Sequence, residues 1–323
     1  MMSWPKTAAV FPGQGSQVLG MGKDFAEEYQ IARETFAQAD DLLGFALSDI
    51  CWNGPEDRLN QTVNTQPALF VCSLAIWRVL QQRIPECQPT WMAGHSLGEF
   101  SALTAAGALS FEDGLRLVRT RGELMQQAGE ESPGAMAAVL GLQAQTVETL
   151  CATVSRQTGQ TVVLANDNCP GQAVVSGDEA AVDRTLALAK ESGVRRAVKL
   201  AVSVAAHSPL MASASADFNR AIETTEYHLP KAQLVGNVSA GALDSVDDIR
   251  QELNQQLIQA VRWTDSVQAL IARGAETFVE IGAGSVLSGL IRRIDRKTAR
   301  FSLNSVVALE TFLESLSMGP GGE

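Results

Sequence analysis

Gly94-His95-Ser96-Leu97-Gly98 is the segment that constrains this chain most. The pattern G-x-S-x-G belongs to a strand-to-helix turn sharp enough to push a serine hydroxyl clear of the backbone, and small residues on both sides let the chain bend. The flanks fit. Thr90-Trp91-Met92-Ala93 reads as the end of a buried strand, and Glu99 to Leu109 as a helix rich in Ala and Leu. In such a turn the Ser96 hydroxyl is an exposed nucleophile, and the N–H of Leu97 lies at the positive end of the new helix. The pentapeptide also arises by chance, so its meaning depends on what the rest of the chain supplies.

Length and composition narrow the choices. With 323 residues, 46% hydrophobic and 19% charged, the chain can build a large core and two domains, and it is not disordered in composition. No apolar run is expected to approach the roughly 20 residues that cross a bilayer. The N-terminus also lacks a charged segment followed by a long apolar stretch, so neither a signal peptide nor a membrane partner is expected. Cys51, Cys72, Cys87, Cys151 and Cys169 form no C-x-x-C pair and are odd in number. They read as reduced thiols of a cytoplasmic protein. A net charge of −11 disfavours nucleic acid.

Apolar runs alternate with helical patterns. Thr7 to Phe11 reads as a buried strand ending in the loop Pro12-Gly13-Gln14-Gly15-Ser16-Gln17. A loop is expected over 52–66, a long apolar helix over 67–82, then the elbow. This alternation implies a mostly parallel sheet covered on both faces. Ser110, with Asp113 three residues on, starts a helix that runs to about Gln127. The next block has a different rhythm: strand 136–140, helix 145–156, strands 162–165 and 173–176, helix 178–191 and strand 195–202. That β-α-β-β-α-β order is ferredoxin-like. It predicts a small domain over 131–203, inserted in a large domain made of 1–130 and 204–323. Strands of the large domain resume at 234–238 and 277–281.

A serine nucleophile needs a base, and the chain has three histidines. His95 adjoins the serine and points across the turn. His228 lies in Glu226-Tyr227-His228-Leu229-Pro230, which reads as surface loop. His207 follows the strand returning from the small domain and is the base by elimination, against the plainer reading of a structural histidine. Arg121 sits in the middle of an apolar helical arc of Leu117, Val118, Leu124 and Met125, with Arg116, Arg119 and Glu123 on the opposite face. An unpaired buried charge is costly. Arg121 therefore has either a buried carboxylate partner or a substrate carboxylate gripped by its fork. Gln14 lies in a glycine-flanked loop whose N–H groups can approach an anion. With Leu97 N–H it completes an oxyanion hole, or it belongs to an ordinary turn. Neither Gly13-Gln14-Gly15 nor Gly282-Ala283-Gly284 completes a dinucleotide fingerprint.

Five segments then fall into one order: Val10-Phe11-Pro12-Gly13-Gln14-Gly15-Ser16-Gln17, Thr65-Gln66-Pro67-Ala68-Leu69, Gly94-His95-Ser96-Leu97-Gly98-Glu99, Arg121-Gly122 and Asn168-Cys169-Pro170-Gly171-Gln172. Together they resemble the malonyl-CoA:acyl carrier protein transacylase family of bacterial fatty acid synthesis, from Thr7 to Arg293. The resemblance implies an α/β fold, with an α/β hydrolase-like large domain and a small ferredoxin-like insert. It implies Ser96 as the malonylated nucleophile, His207 as its general base, Arg121 as the clamp on the malonyl carboxylate, and Gln14 with Leu97 N–H as the oxyanion hole. A main-chain carbonyl at the position of Gln256 orients the histidine in this family, and Gln66, Asn166 and Asn168 line the pocket. Gln259-Ala260 stands where many members have Asn-Pro, and Gly282-Ala283-Gly284-Ser285 where many have Gly-Pro-Gly-Lys. Val204-Ala205-Ala206 before His207 also departs from the common pattern.

The implied reaction moves malonyl from malonyl-CoA to the phosphopantetheine thiol of acyl carrier protein. It runs through a malonyl-serine, with ping-pong kinetics and no metal or redox cofactor. Carrier proteins are acidic, as this chain is, so docking needs a local basic patch. Leu290 to Arg300, with Arg292 and Arg293, supplies one, unless it is simply a solvated helix face. A monomer suffices. The rivals are a hydrolase of the same fold, a trans-acting polyketide-type acyltransferase, and a silent carrier-binding module. Arg121 disfavours the first, and the intact set of Ser96, His207 and Arg121 disfavours the last.

Overall fold

The structure, a computed structural model, describes residues 4–200, 202 and 204–317. The expected domain limits at residues 1, 203 and 323, and Ala201 in the last ferredoxin-like strand, lie outside the described residues. Among these, nine strands form: β1 (Thr7–Phe11), β2 (Trp91–Gly94), β3 (Ala135–Leu140), β4 (Val162–Cys169), β5 (Gln172–Gly177), β6 (Arg196–Lys199), β7 (Gln233–Val235), β8 (Thr277–Ile281) and β9 (Ala299–Leu303).

Five of them build a parallel sheet in the order β7-β2-β1-β8-β9. β1 is buried along its whole length, as a central parallel strand covered on both faces requires. Its alternate side chains feed two layers. Ala9 and Phe11 join a core with Phe25, Phe70 and Phe100. Ala8 and Val10 pack with Trp91, Trp263, Val267 and Leu287. Because the strands run the same way, the loops after β1, β2, β7 and β8 emerge at one edge, where open parallel sheets place their ligands.

The other four strands form an antiparallel sheet, ordered β4-β5-β3-β6. Helices Ala144–Thr158 and Glu179–Glu191 cover it over a core of Ala137, Val139, Val147, Val154, Val175 and Val182. Chain order and strand order are ferredoxin-like. The two sheets meet where Val261 N–H donates to the Ala165 carbonyl at 2.9 Å and Asp167 N–H to the Val261 carbonyl at 2.9 Å.

Three local expectations change. The long apolar helix spans Thr62–Arg83, with Pro67 inside it, so it starts at Thr62 and not at Pro67. Proline cannot donate to the carbonyl four residues back. That carbonyl, of Val63, accepts from Arg119 Nη1 at 3.0 Å, which draws Arg119 off the wet face where the helical wheel put it. The same helix is long and apolar enough to cross a bilayer, contrary to expectation, yet 89% of its most apolar window is buried in the fold. It is a core helix. Finally, the basic segment is not one helix face. Its helix ends at Ile294, and Ala299–Leu303 pair with β8 as the edge strand β9.

Candidate active site

β2 ends at Gly94, and the helix Gly98–Ala105 begins almost at once. A side chain at Gly94 would overlap the Gly98 carbonyl, and one at Gly98 would overlap the Phe11 carbonyl oxygen. Only glycines allow this turn. Between them Ser96 adopts φ 52°, the left-handed region, which costs an L-residue about 1–2 kcal/mol. Two hydrogen bonds hold it there. Ser96 N–H donates to Asn237 Oδ1 at 2.7 Å, and the Ser96 carbonyl accepts from Gln256 Nε2 at 3.1 Å.

The Ser96 hydroxyl lies 2.8 Å from His207 Nε2. On the other side of the ring, Nδ1 is 2.8 Å from the Gln256 main-chain carbonyl. A carbonyl only accepts, so the ring proton sits on Nδ1 and the Nε2 lone pair faces the serine. No carboxylate is needed to set this tautomer. Gln259-Ala260, downstream, leaves Gln256 in place for the task.

Arg121 is 1% exposed. Its Nη1 donates to Gln66 Oε1 at 2.9 Å, and its Nη2 to Gln256 Oε1 at 2.9 Å and to Ser96 Oγ at 3.1 Å. It forms no ion pair with a carboxylate among the described residues. Of the two possibilities the sequence left open, the buried direct partner is not formed. Gln66 completes its own bonding by donating Nε2 to Met125 Sδ at 3.2 Å.

The remaining residues divide. Leu97 is buried and opens the first turn of the elbow helix, where its N–H has no preceding helical carbonyl to meet. Asn166 and Asn168 are buried on β4, and Asn168 Oδ1 lies 2.8 Å from His95 Nε2. That bond turns His95 away from the serine. His228 is exposed, 3.9 Å from Glu226. The Gln14 side chain points elsewhere too: it is exposed and donates to the Thr62 hydroxyl at 3.2 Å. Arg292 and Arg293 lie apart from the catalytic pair, in a recess of about 900 Å³ lined also by Ser285, Ser288, Gly289, Arg296 and Arg300.

Known proteins resemble this chain over nearly its whole length. An acyl transferase domain matches residues 9–308. The malonyl CoA-acyl carrier protein transacylase of Haemophilus influenzae is 44% identical over 95% of this chain and 99% of its own. That of Escherichia coli K12 is 42% identical over 95% and 98%. Among solved structures, the malonyl-CoA:acyl carrier protein transacylase of Xanthomonas oryzae superposes with a TM-score of 0.92 at 46% identity, covering 97% of this chain and 99% of that one. The chain belongs to the malonyl-CoA:acyl carrier protein transacylase family.

Sequence reasoning missed two residues of this transacylase site. Glu99 was visible as part of the elbow segment, a carboxylate among apolar residues three positions after the serine. Asn237 fell inside the strand expected over 234–238 and gave no sign; in the structure that strand ends at Val235 and Asn237 lies in the loop beyond it. Glu99 Oε1 accepts from Asn237 N–H at 3.0 Å, and Oε2 accepts from Gln256 Nε2. Burial pushes the Glu99 carboxyl well above its usual range, with Glu252 adding to the rise and the amide donors opposing it. Burial also lowers Arg121 to about 10, still a cation at neutral pH.

Burial and the neighbouring Arg121 charge bring His207 down to about 3, against the weaker opposing effect of the Gln256 carbonyl. His207 therefore stays neutral to a pH far below that at which an ordinary histidine protonates. From pH 7 to pH 5, kcat/KM for acylation should change by less than about twofold, where a histidine titrating near 6.5 would lose about 20–30-fold. Rapid-quench acylation rates across that range check this, and an inflection near 6.5 would contradict it.

Proposed function

We propose that this chain transfers malonyl from malonyl-CoA to the phosphopantetheine thiol of acyl carrier protein through a malonyl ester on Ser96. The observation that carries the reading is Arg121: a buried guanidinium without a carboxylate partner among the described residues, bonded to the nucleophile itself. A site that carries acyl groups without a distal charge has no use for it. In the first step His207 Nε2 takes the Ser96 proton as Oγ attacks the thioester carbonyl. Leu97 N–H and the main chain of Gln14 hold the oxyanion, each donor contributing roughly 3–4 kcal/mol. The tetrahedral intermediate collapses, the C–S bond breaks, and the proton passes from His207 to the CoA thiolate. In the second step His207 takes the carrier's thiol proton, sulfur attacks the ester, and Ser96 leaves and regains that proton. The free enzyme alternates with the acyl-enzyme, which makes the kinetics ping-pong. Arg121 holds the malonate carboxylate throughout, with Gln66, Asn166 and Asn168 around it. Every step is acid–base chemistry by these side chains, with no metal or redox group taking part.

A structure of a type II polyketide acyl carrier protein in complex with its malonyl-transacylase superposes with a TM-score of 0.93 at 42% identity, covering 96% of this chain. The same fold thus serves a polyketide carrier, and a trans-acting polyketide role is the second reading for this chain. The five buried free cysteines suit a cytoplasmic protein, and a site assembled from one chain suits a monomer.

The arginine recess is the carrier's docking surface in this reading. Arg292 and Arg296 carry no ion pair among the described residues, and Arg293 donates to Gln172 Oε1 at 2.6 Å. Ser285 lies in the same recess. Arg292→Glu with Arg293→Glu should raise the carrier KM at least about tenfold and spare malonyl-enzyme formation. Steady-state kinetics with holo carrier check this, and an unchanged KM would contradict it.

Arg121→Ala tests the main reading. Malonyl kcat/KM should fall by about 100-fold or more, the loss of a charge-assisted pair worth about 3 kcal/mol. Acetyl transfer should persist or improve. Equal losses for both acyl groups, measured with malonyl-CoA and acetyl-CoA side by side, would make Arg121 merely structural.

A further inference from the structure

We propose that Glu99 is a positioning residue that sets acyl selectivity by fixing the amide of Gln256, so that one side chain holds both Arg121 and Ser96. The proposal rests on the reading of Arg121 as the malonate clamp. Glu99 is 2% exposed in the first turn of the elbow helix. Its two oxygens reach two residues whose side chains both return to the nucleophile. Asn237, whose N–H meets Oε1 at 3.0 Å, accepts Ser96 N–H and donates Nδ2 to the Gly94 carbonyl at 2.8 Å. Gln256, whose Nε2 meets Oε2, donates also to the Ser96 carbonyl at 3.1 Å.

An amide has one accepting end and one donating end. Arginine only donates, so Gln256 Oε1 has to face Arg121 Nη2, and its Nε2 has to face an acceptor. Glu99 Oε2 and the Ser96 carbonyl are its two acceptors. Glu99 fixes the amide without touching the guanidinium, so no carboxylate occupies the fork. A direct carboxylate would neutralise the guanidinium, whereas the neutral amides on Nη1 and Nη2 leave its charge, and its Nε, unpartnered among the described residues, for the substrate. Glu252 stands behind, accepting from Val238 N–H, Ser239 N–H and the Ser239 hydroxyl, and so braces the loop that carries Asn237.

Glu99→Gln breaks this logic with almost no change in volume. The Asn237 N–H is main chain and cannot reverse, so the new amide turns its oxygen there and its NH2 toward Gln256. Gln256 Nε2 then faces a donor where it had an acceptor, while the Ser96 carbonyl still holds its other N–H, so the amide shifts and its bond to Arg121 weakens. Ser96 N–H keeps its partner, so acetylation should suffer less than malonylation. The ratio of malonyl to acetyl acylation rates should fall about tenfold or more, the size of one lost charge-assisted bond.

Rapid-quench acylation with malonyl-CoA and acetyl-CoA, run on wild type, Glu99→Gln, Gln256→Met and Arg121→Ala, tests the proposal. Gln256→Met keeps the main-chain carbonyl that holds His207 and removes only the amide, so it carries the test if Glu99→Gln does not fold. A lowered ratio in Glu99→Gln and Gln256→Met is the expected result. A ratio unchanged from wild type in either variant, with both rates lowered equally, would overturn the proposal. An unchanged ratio in Arg121→Ala would overturn the clamp reading itself, and the proposal with it.

Discussion

A guanidinium cannot give up its charge by releasing a proton at neutral pH, so burying Arg121 obliges its surroundings to answer it. Gln66 and Gln256 turn their oxygens toward it, and the Ser96 hydroxyl sits 3.1 Å from it. His207 beside it is held neutral by its own burial first and by the Arg121 charge second. A neutral histidine with its proton fixed on Nδ1 is what a serine needs as a base, and a nearby cation favours the alkoxide that forms. In the proposed reading this permanent charge is the grip on a negatively charged acyl group, while burial does most to keep the histidine neutral.

The fold makes that arrangement affordable by delivering the parts from one edge of a parallel sheet. Ser96 and Leu97 follow β2, Gln14 follows β1 and Asn237 follows β7, so their loops emerge side by side. Gln256 and His207 come from the chain beyond the small sheet. The glycines of the elbow let backbone replace side chain where three segments cross. The strain at Ser96 and at His207, φ 58°, is opposed by hydrogen bonds to groups that are themselves buried and bonded.

What could be read from the sequence follows from how local the signal is. β1 lies at Thr7–Phe11 as the unbroken apolar run indicates. Ser110 caps its helix, accepting from Asp113 N–H at 3.0 Å. Arg121 stood out because a charge interrupts an apolar arc within one helix. The start of the Thr62–Arg83 helix was hidden because proline is a breaker by itself, and the arginine that satisfies the freed carbonyl is 56 residues away. β9 was missed because an edge strand with only Leu303 fully buried has no clear alternation. Glu99 and Asn237 lacked a role because their bonds join residues 138 to 157 positions apart, and no local periodicity encodes such pairs.

The most direct measurement is the intact mass of the protein after brief mixing with malonyl-CoA, with Ser96→Ala alongside. The account predicts a single malonyl adduct on the wild type, none on the variant, and rapid discharge of the adduct by holo acyl carrier protein. An adduct that water removes as fast as the carrier does, or one that persists in Ser96→Ala, would contradict it.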